Sequence, residues 1–505
     1  MQMKAKGWGD LMNRRRFLHK TSIGVASVSA FSQVTAGPKG RDISALAEAD
    51  YTAQIELLGS GQTSAKELMQ DALRRTQKVN DQINAVVHVA EDAMENLQDS
   101  GPLRGIPYLI KDLSDVKGMP TTFGSRAFLE NVAAEDTPIV ASLKANGANV
   151  FGKTNTPEFG LIGTTEPLAL GACRNPWNTD HSSGGSSGGA AAAVAAGIVP
   201  AAQASDGGGS IRIPASCCGL VGLKPSRGRM AGEGDNVSLA DIAVRHAVSR
   251  SVRDQALLLF LTQSQGGKAG LDPVGMVTDP INRPLKIAFS TKSARGNEPD
   301  ADVKSALEQV AALCSELGHE VVEIAPDFDG EQFEAQFIDL WSQGAYQVKN
   351  MVAGRGVSES SLTDLLEPWT LYLAEHAARI GQESVPAVLS HFGMVKETVN
   401  QFMSDFDIWL TPTLAKAPVA IGNQAPNVPV ETLMQRTFDY VAYSPLANAI
   451  GTPAISVPLS WNSAGLPIGS MFMAKEGQDE LLLQLAYQLE EAQPWRDKRA
   501  PIWAG

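Results

Sequence analysis

Residues 182–225 read SSGGSSGGAAAAVAAGIVPAAQASDGGGSIRIPASCCGLVGLKP, in which two glycine-rich turns flank an alanine-rich run. Residues 190–196 are typical of a buried helix, and Gly197 stands where a C-terminal cap belongs. Residues 206–210 read DGGGS, and glycine lets the chain take backbone conformations that other residues disfavour. The stretch therefore predicts a short helix held between two tight turns.

On both sides of this stretch, short apolar runs alternate with helical patterns. Residues 285–290 predict one strand and residues 321–324 predict another. Between them, residues 303–317 carry a single apolar face that ends before Gly318. Such strand–helix–strand units indicate an α/β fold. Further helices are predicted at 64–78, where Ser64 and Glu67 can form a capping box, and at about 478–491.

Composition excludes several classes of protein. The chain has 505 residues, of which 43% are hydrophobic, so it can bury a large core. Its 55 acidic against 42 basic residues give a net charge of −13, which argues against a nucleic-acid partner. No apolar run is long enough to cross a membrane. The four cysteines form no CxxC pair and the seven histidines no HExxH motif, so we expect no metal site.

The first 36 residues have the order of an export signal. Arg14, Arg15 and Arg16 precede Phe17-Leu18, an apolar stretch covers 21–31, and Val-Thr-Ala at 34–36 fits a cleavage site. The paired arginines resemble the bacterial twin-arginine motif. The sequence therefore predicts a signal peptide at 1–36, a mature domain at 37–505 and a periplasmic location. The alternative is a basic N-terminus with no targeting role.

One motif suggests nucleotide binding but fits it poorly. Residues 147–154 read GANVFGKT and match the P-loop pattern. A P-loop needs a flexible glycine-rich turn that enters a helix, whereas Val150 and Phe151 suit a strand. We therefore expect a strand that ends in a turn.

A second motif suggests an α/β-hydrolase. Residues 185–189 read GSSGG and match GxSxG, which would make Ser187 a nucleophile served by His376 or His391. That motif needs a strand immediately before it, and residues 178–184 are a poor strand. We therefore disfavour this interpretation.

A third interpretation uses both glycine clusters together. Lys111 ends an apolar run, whereas Ser186 and Ser210 lie in glycine-rich turns. A buried lysine can lose its charge and act as a base, and a second serine can relay a proton to it. Consecutive backbone N–H groups before Ser210 can stabilise an oxyanion beside its hydroxyl.

Several motifs in this order resemble the amidase signature family. Besides residues 182–225, the matching pieces are GIPYLIKD at 105–112, GKTNTPEFG at 152–160, DIWLTPT at 407–413 and GTPAISVP at 451–458. The resemblance covers about residues 45–490 and is weakest between 230 and 405. It implies an α/β fold with a mixed β-sheet core covered by helices on both faces. The divergent region at about 230–450 is then expected to shape the substrate pocket.

The resemblance also implies a Ser–cis-Ser–Lys triad. Ser210 corresponds to the nucleophile, Ser186 to the bridging serine and Lys111 to the base. Ser182 is a superficial alternative to Ser186, but only Ser186 has paired glycines on both sides and the family's spacing from Ser210.

Further roles follow from the same resemblance. The oxyanion donors correspond to the backbone N–H groups of Gly207, Gly208, Gly209 and Ser210. Asp206 and Arg212 are expected to brace this loop, and Ser187 is expected to support the bridging serine. Gly207 departs from the family, in which many members carry threonine or another side chain there.

The implied activity is hydrolysis of a small amide through an acyl-enzyme. The sequence of residues 206–220 most resembles the branch of the family that contains 6-aminohexanoate cyclic-dimer hydrolase. As an enzyme with a predicted export signal, the protein also resembles the bacterial peptide amidases. The alternatives are a non-catalytic binding protein on the same fold and an amidotransferase-type subunit. The sequence fixes neither the substrate nor the oligomeric state. The aromatic candidates for the pocket, whose alternative role is core packing, are Phe289, Trp341, Trp369 and Tyr372.

Overall fold

The computed structural model describes residues 46–505, except 47, 96, 235–236 and 265–269. The export signal predicted at 1–36 lies outside the described residues. Within the described part of the chain, no helix is both long and apolar enough to cross a bilayer.

The strands form an eight-stranded mixed sheet, a three-stranded sheet and a two-stranded ribbon. They are β1 (Val86–Val89), β2 (Pro107–Lys111), β3 (Asn149–Thr154), β4 (Arg174–Asn175), β5 (Asn178–Ser182), β6 (Ala201–Asp206), β7 (Val221–Lys224), β8 (Val244–Ser249), β9 (Lys286–Phe289), β10 (Glu320–Glu323), β11 (Ile408–Pro412), β12 (Ala454–Trp461) and β13 (Pro467–Ala474).

The α-helices of the described residues lie between these strands and at both ends. They are α1 (Tyr51–Gly59), α2 (Ala65–Ile83), α3 (Pro138–Ala145), α4 (Gly188–Ala195), α5 (Arg212–Cys218), α6 (Val252–Thr262), α7 (Ala301–Glu316), α8 (Gly330–Ala353), α9 (Glu359–Leu365), α10 (Pro368–Ile380), α11 (Val385–Met403), α12 (Val430–Tyr440), α13 (Pro445–Ile450) and α14 (Asp479–Ala492).

The large sheet has the strand order β10-β9-β11-β13-β12-β7-β8-β6. Strands β10, β9 and β11 are parallel, whereas the pairs from β11 onward to β6 are antiparallel. The smaller sheet has the order β1-β3-β2, with β2 parallel to β3. The Lys111 backbone N–H donates to the Gln203 side chain at 3.0 Å, which joins the end of β2 to β6.

Helices cover both faces of the large sheet, as the family resemblance implies. Side chains alternate along a strand, so Ile287 and Leu410 point to one face while Ala288 and Trp409 point to the other. The first face packs against helices that include α6, α7 and α14. The second packs against α8, α11 and α13. The predicted α/β fold class is confirmed.

Most local predictions agree with the structure. The capping box of Ser64 and Glu67 starts α2, and residues 149–154 form the strand expected within the P-loop-like motif. The expectation of a poor strand at 178–184 is wrong in part, because β5 pairs with β4 in a short ribbon. The helix predicted at 190–196 begins two residues earlier, at Gly188.

Candidate active site

Lys111 lies at the end of β2 and is completely buried. Its Nζ donates to the Ser186 hydroxyl at 2.7 Å and to the Ser205 hydroxyl at 3.1 Å. Both partners are neutral hydroxyl groups. Among the described residues, no carboxylate lies within hydrogen-bonding distance of the amine. A lysine in such surroundings gains little from being charged.

The pKa of Lys111 is lowered well below its ordinary value. Burial is the largest cause, because it penalises the charged form. The negative charge of Asp206 opposes this shift, and the positive charge of Arg245 adds to it. The site therefore favours a neutral amine that can accept a proton.

The turn before α4 places Ser186 beside this amine. The peptide bond between Gly185 and Ser186 is cis. Gly185 packs so closely on Thr164 that a Cβ atom there would lie 2.5 Å from the Thr164 carbonyl oxygen. Ser182 instead lies in β5, and its hydroxyl accepts a hydrogen bond from the Gly184 N–H. The Lys111 contact thus involves Ser186 and not the alternative serine.

Ser210 follows three glycines in the turn between β6 and α5 and is 6% exposed. Among the described residues, the Ser210 hydroxyl has no hydrogen-bond partner, and Ser186 is not bonded to it. The backbone N–H groups of Gly207, Gly208 and Ser210 also have no partner in the described part of the chain. They remain open to an acceptor outside the protein.

Gly209 differs from the prediction of four open donors. Its backbone N–H donates to the Asp206 carboxylate at 2.7 Å. The φ angle of Gly209 is +130°, a conformation that a residue with a side chain rarely adopts. This glycine therefore closes the turn around Asp206 and leaves the other three N–H groups for an acceptor.

Asp206 and Arg212, which the resemblance expects to brace the turn, form an ion pair within it. Both are fully buried, and Arg212 Nη2 lies 2.9 Å from Asp206 Oδ1. The same carboxylate accepts hydrogen bonds from the Ile211 N–H and from the Asn448 side chain. Burial raises the pKa of Asp206, but the opposing effects of Arg212, Lys224 and Asn448 hold it below the usual range. The carboxylate therefore stays ionised and the turn stays fixed.

Ser187 has a different partner from the one expected. Its hydroxyl donates to the Ser205 carbonyl at 3.2 Å and accepts from the Ser205 N–H at 3.3 Å. Ser187 thus holds the second partner of Lys111 rather than Ser186 directly. These contacts are to backbone and not to a histidine, so the hydrolase-type role considered for Ser187 gains no support.

The sequence reasoning missed Ser205 and Asn448. Ser205 lies two residues after Gln203 on β6, and residues two apart share a face of a strand. Once β2 and β6 are known to be neighbours, that spacing identifies Ser205. Asn448 lies 242 residues from Asp206, and no local pattern marks it.

A cleft of about 590 Å³ opens beside these residues. Its walls include Phe159 and Leu161, which flank Gly160, and a Cβ atom at Gly160 would lie 3.0 Å from the Ser186 hydroxyl. Another wall is Trp341, whose ring lies against Gly207. The cleft is thus bounded by the segments that contact the two glycine-rich turns.

Of the aromatic residues considered for the pocket, only Trp341 lines this cleft. Phe289 belongs to the buried core on β9. Trp369 is 4% exposed and stacks on Tyr372 with their ring centroids 5.8 Å apart. Core packing is therefore the observed role of Phe289, and packing between helices is that of the Trp369–Tyr372 pair.

Known proteins are similar to this chain in both sequence and fold. The amidase sequence profile matches residues 67–483, which is most of the chain. The chain belongs to the amidase signature family. It is 37% identical to the putative amidase AmiC of Mycobacterium tuberculosis over 466 residues, covering 90% of this chain and 97% of that one.

Two further relatives are named as hydrolases of amides. The acylamidase of Rhodococcus erythropolis is 32% identical, over 88% of this chain and 95% of that one. The solved structure of 6-aminohexanoate cyclic dimer hydrolase complexed with substrate superposes with a TM-score of 0.81. It is 32% identical, over 90% of this chain and 99% of that one. The protein is therefore an amidase, a hydrolase of amide C–N bonds that acts on small amides.

Proposed function

We propose that this amidase hydrolyses its substrate through a Ser210 acyl-enzyme, with Ser186 as proton relay and Lys111 as base. The observation that carries the proposal is the 2.7 Å hydrogen bond from the fully buried Lys111 amine to the Ser186 hydroxyl. Ser186 lies in the glycine-rich turn that neighbours the turn of Ser210. The lowered pKa of Lys111 supports a neutral amine that is ready to accept a proton.

In the first half-reaction, the Ser210 hydroxyl attacks the amide carbon. Its proton passes to Ser186, and the Ser186 proton passes to Lys111. The oxyanion accepts hydrogen bonds from the N–H groups of Gly207, Gly208 and Ser210. The C–N bond then breaks, and the proton held by Lys111 returns along the same path to the leaving amine.

In the second half-reaction, water attacks the acyl ester and gives up a proton along the same relay. The ester bond breaks, the carboxylic acid leaves and the Ser210 hydroxyl is restored. Because the structure has no hydrogen bond between the described residues Ser186 and Ser210, the relay requires that bond to form during the reaction. Every proton transfer in this mechanism uses a side chain of this chain, so it needs neither a metal nor an organic cofactor.

The decisive experiment combines labelling with turnover. Wild-type protein is treated with a fluorophosphonate probe and assayed for ammonia release from small amides. Ser210→Ala should lose the label and lower turnover by at least about 1000-fold without a change in thermal unfolding. Ser182→Ala is the matched control, since this serine lies in the neighbouring ribbon, and it should keep both label and activity.

Other results would favour the alternatives. A protein that binds amides with neither label nor turnover would be a non-catalytic binding protein on this fold. Glutamine-dependent transfer of ammonia to an acyl acceptor would favour an amidotransferase-type subunit. Full activity in Ser210→Ala would exclude Ser210 as the nucleophile.

We also propose that residues 1–36 direct export to the periplasm by the twin-arginine route. The support is the order of the sequence: Arg14-Arg15, then Phe17-Leu18, then a mild apolar stretch. Replacing Arg14 and Arg15 together by lysine should retain the protein in the cytoplasmic fraction. Unchanged periplasmic recovery would contradict the proposal.

A further inference from the structure

We propose that Trp341 is a specificity-determining residue and that the cleft beside it selects amides whose substituents are apolar and uncharged. The inference rests on the proposed function and adds the substrate class. It follows from the position of one indole ring and from the side chains that line the cleft.

Trp341 is fixed against the backbone of the glycine turn. A Cβ atom at Gly207 would lie 2.9 Å from its ring, so the indole occupies space that a side chain at this position would need. The ring stacks on Phe337, with centroids 5.8 Å apart, and Phe337 itself approaches Gly208. A substrate carbonyl held by the N–H groups of this turn must therefore present a substituent near the indole.

The indole is also held from its other edge. Its Nε1–H donates to the Leu161 carbonyl at 3.2 Å, and Leu161 lines the same cleft. Trp369 donates to the same carbonyl at 3.0 Å but does not line the cleft. Trp341 thus presents an apolar ring face to the cleft in a fixed position. Trp369 makes the same hydrogen bond without lining the cleft, so a variant of Trp369 tests the effect of that hydrogen bond alone.

The described residues that line the cleft carry no charge. Apolar side chains make up most of the wall, and its polar side chains are three glutamines, Gln343, Gln347 and Gln382. A charged substituent would leave water without gaining an ionic partner, which is costly. Amide groups of a ligand, in contrast, can pair with the carbonyl and NH₂ groups of glutamine.

The test compares three amides of similar length: pentanamide, 5-aminopentanamide and the monoamide of glutaric acid. At pH 7 they end in a methyl group, an ammonium and a carboxylate. We expect kcat/KM for pentanamide to exceed both others by about 100-fold. Equal or higher kcat/KM for either charged amide would overturn the substrate class.

Variants separate the role of Trp341 from that of the hydrogen bond. Trp341→Ala should lower kcat/KM for pentanamide about tenfold more than it lowers kcat/KM for acetamide, mainly through KM. Trp369→Phe removes the other donor to Leu161 and should keep the ranking of the three amides. Trp341→Phe keeps a ring in place and should give a smaller loss, and it replaces the alanine variant if thermal unfolding shows that the latter is not folded.

A loss that is equal for acetamide and pentanamide in Trp341→Ala would show that the indole supports the turn and would overturn its role in specificity. Saturation-transfer NMR can measure binding of the three amides to the Ser210→Ala variant, which tests the cleft without turnover. If the wild type cleaves no amide yet pentanamide binds best, the proposed function fails and the cleft inference stands. If the charged amides bind as well, the inference fails by itself.

Discussion

At the scale of single residues, the surroundings of a buried lysine decide what its amine can do. Lys153 is as buried as Lys111, but it lies 3.0 Å from the Asp112 carboxylate, which favours its charged form. Lys224 is also buried and donates to the Pro225 carbonyl. Lys111 instead donates to two hydroxyls, one of which is the proposed relay. It is therefore the buried lysine best placed to move a proton.

The pH dependence of turnover tests this role of Lys111. Burial lowers the pKa of the amine, and only the neutral amine accepts a proton. We therefore expect kcat/KM to rise with pH on the acid side and to level off below the ordinary lysine pKa of 10.5. Lys111→Arg keeps a permanent charge and should lower kcat/KM by at least about 100-fold at every pH. A profile that is flat from mildly acidic to alkaline pH would contradict the proposed base.

At the scale of elements, the turn from β6 to α5 depends on a buried ion pair. Removing Arg212 would leave the fully buried Asp206 carboxylate without its counter-ion, and such losses cost about 3–5 kcal/mol. Arg212→Met should lower the free energy of unfolding by this amount in urea denaturation.

The matched control is Arg283→Met. Arg283 forms a similar pair with Asp407, but the two side chains are 52% and 28% exposed, so the loss should be about 0–1 kcal/mol. A comparable loss in both variants would show that burial of the Asp206 pair adds nothing to stability.

Local pattern predicts the parts of this site that lie in short motifs. Lys111, Ser186 and Ser210 are recognisable because each stands beside glycines or at the end of a strand within a few residues. Asn448 is not recognisable, and Trp341 is only one of four aromatic candidates, because each reaches the turn through distant pairings of strands and helices. The apolar run predicts a strand at 285–290, which the structure has as β9, but it does not predict that this strand pairs in parallel with β11. The fold class was therefore within reach of the sequence, whereas the strand order and the pocket wall were not.

At the scale of the whole molecule, the cleft depends on a contact between the segment at 158–161 and the helices packed over it. Glu158 accepts hydrogen bonds from the Glu367 backbone N–H and from the Thr370 hydroxyl, at the start of α10. Glu367 in turn accepts from the Leu168 N–H at 2.7 Å. The buried Glu158 carboxyl group thus ties a wall of the cleft to the start of α10, and the Glu367 carboxyl group ties the same helix start to Leu168.

This arrangement predicts a pH-dependent stability. Burial, and secondarily the negative charge of Glu158, raise the pKa of Glu367 to about 8, although the Leu168 hydrogen bond and Arg126 oppose the shift. The unfolded chain releases this proton near the ordinary glutamate pKa of 4.5. Between these values the folded state holds the additional proton, so the free energy of unfolding falls as pH rises. The penalty is absent below about pH 4.5 and complete above about pH 8.

Glu367→Gln removes the titrating group while keeping a side chain of nearly the same shape. From pH 5 to 8 its free energy of unfolding should fall less steeply than that of the wild type, by up to about 1.4 kcal/mol per pH unit.

Glu334 and Glu490, whose pKa values are also raised to about 7 by burial, should keep part of the slope in both proteins. Glu375→Gln, an exposed change on the same helix, should follow the wild type. Urea unfolding at several pH values measures all three, and identical slopes for Glu367→Gln and the wild type would show that Glu367 does not retain its proton in the folded protein.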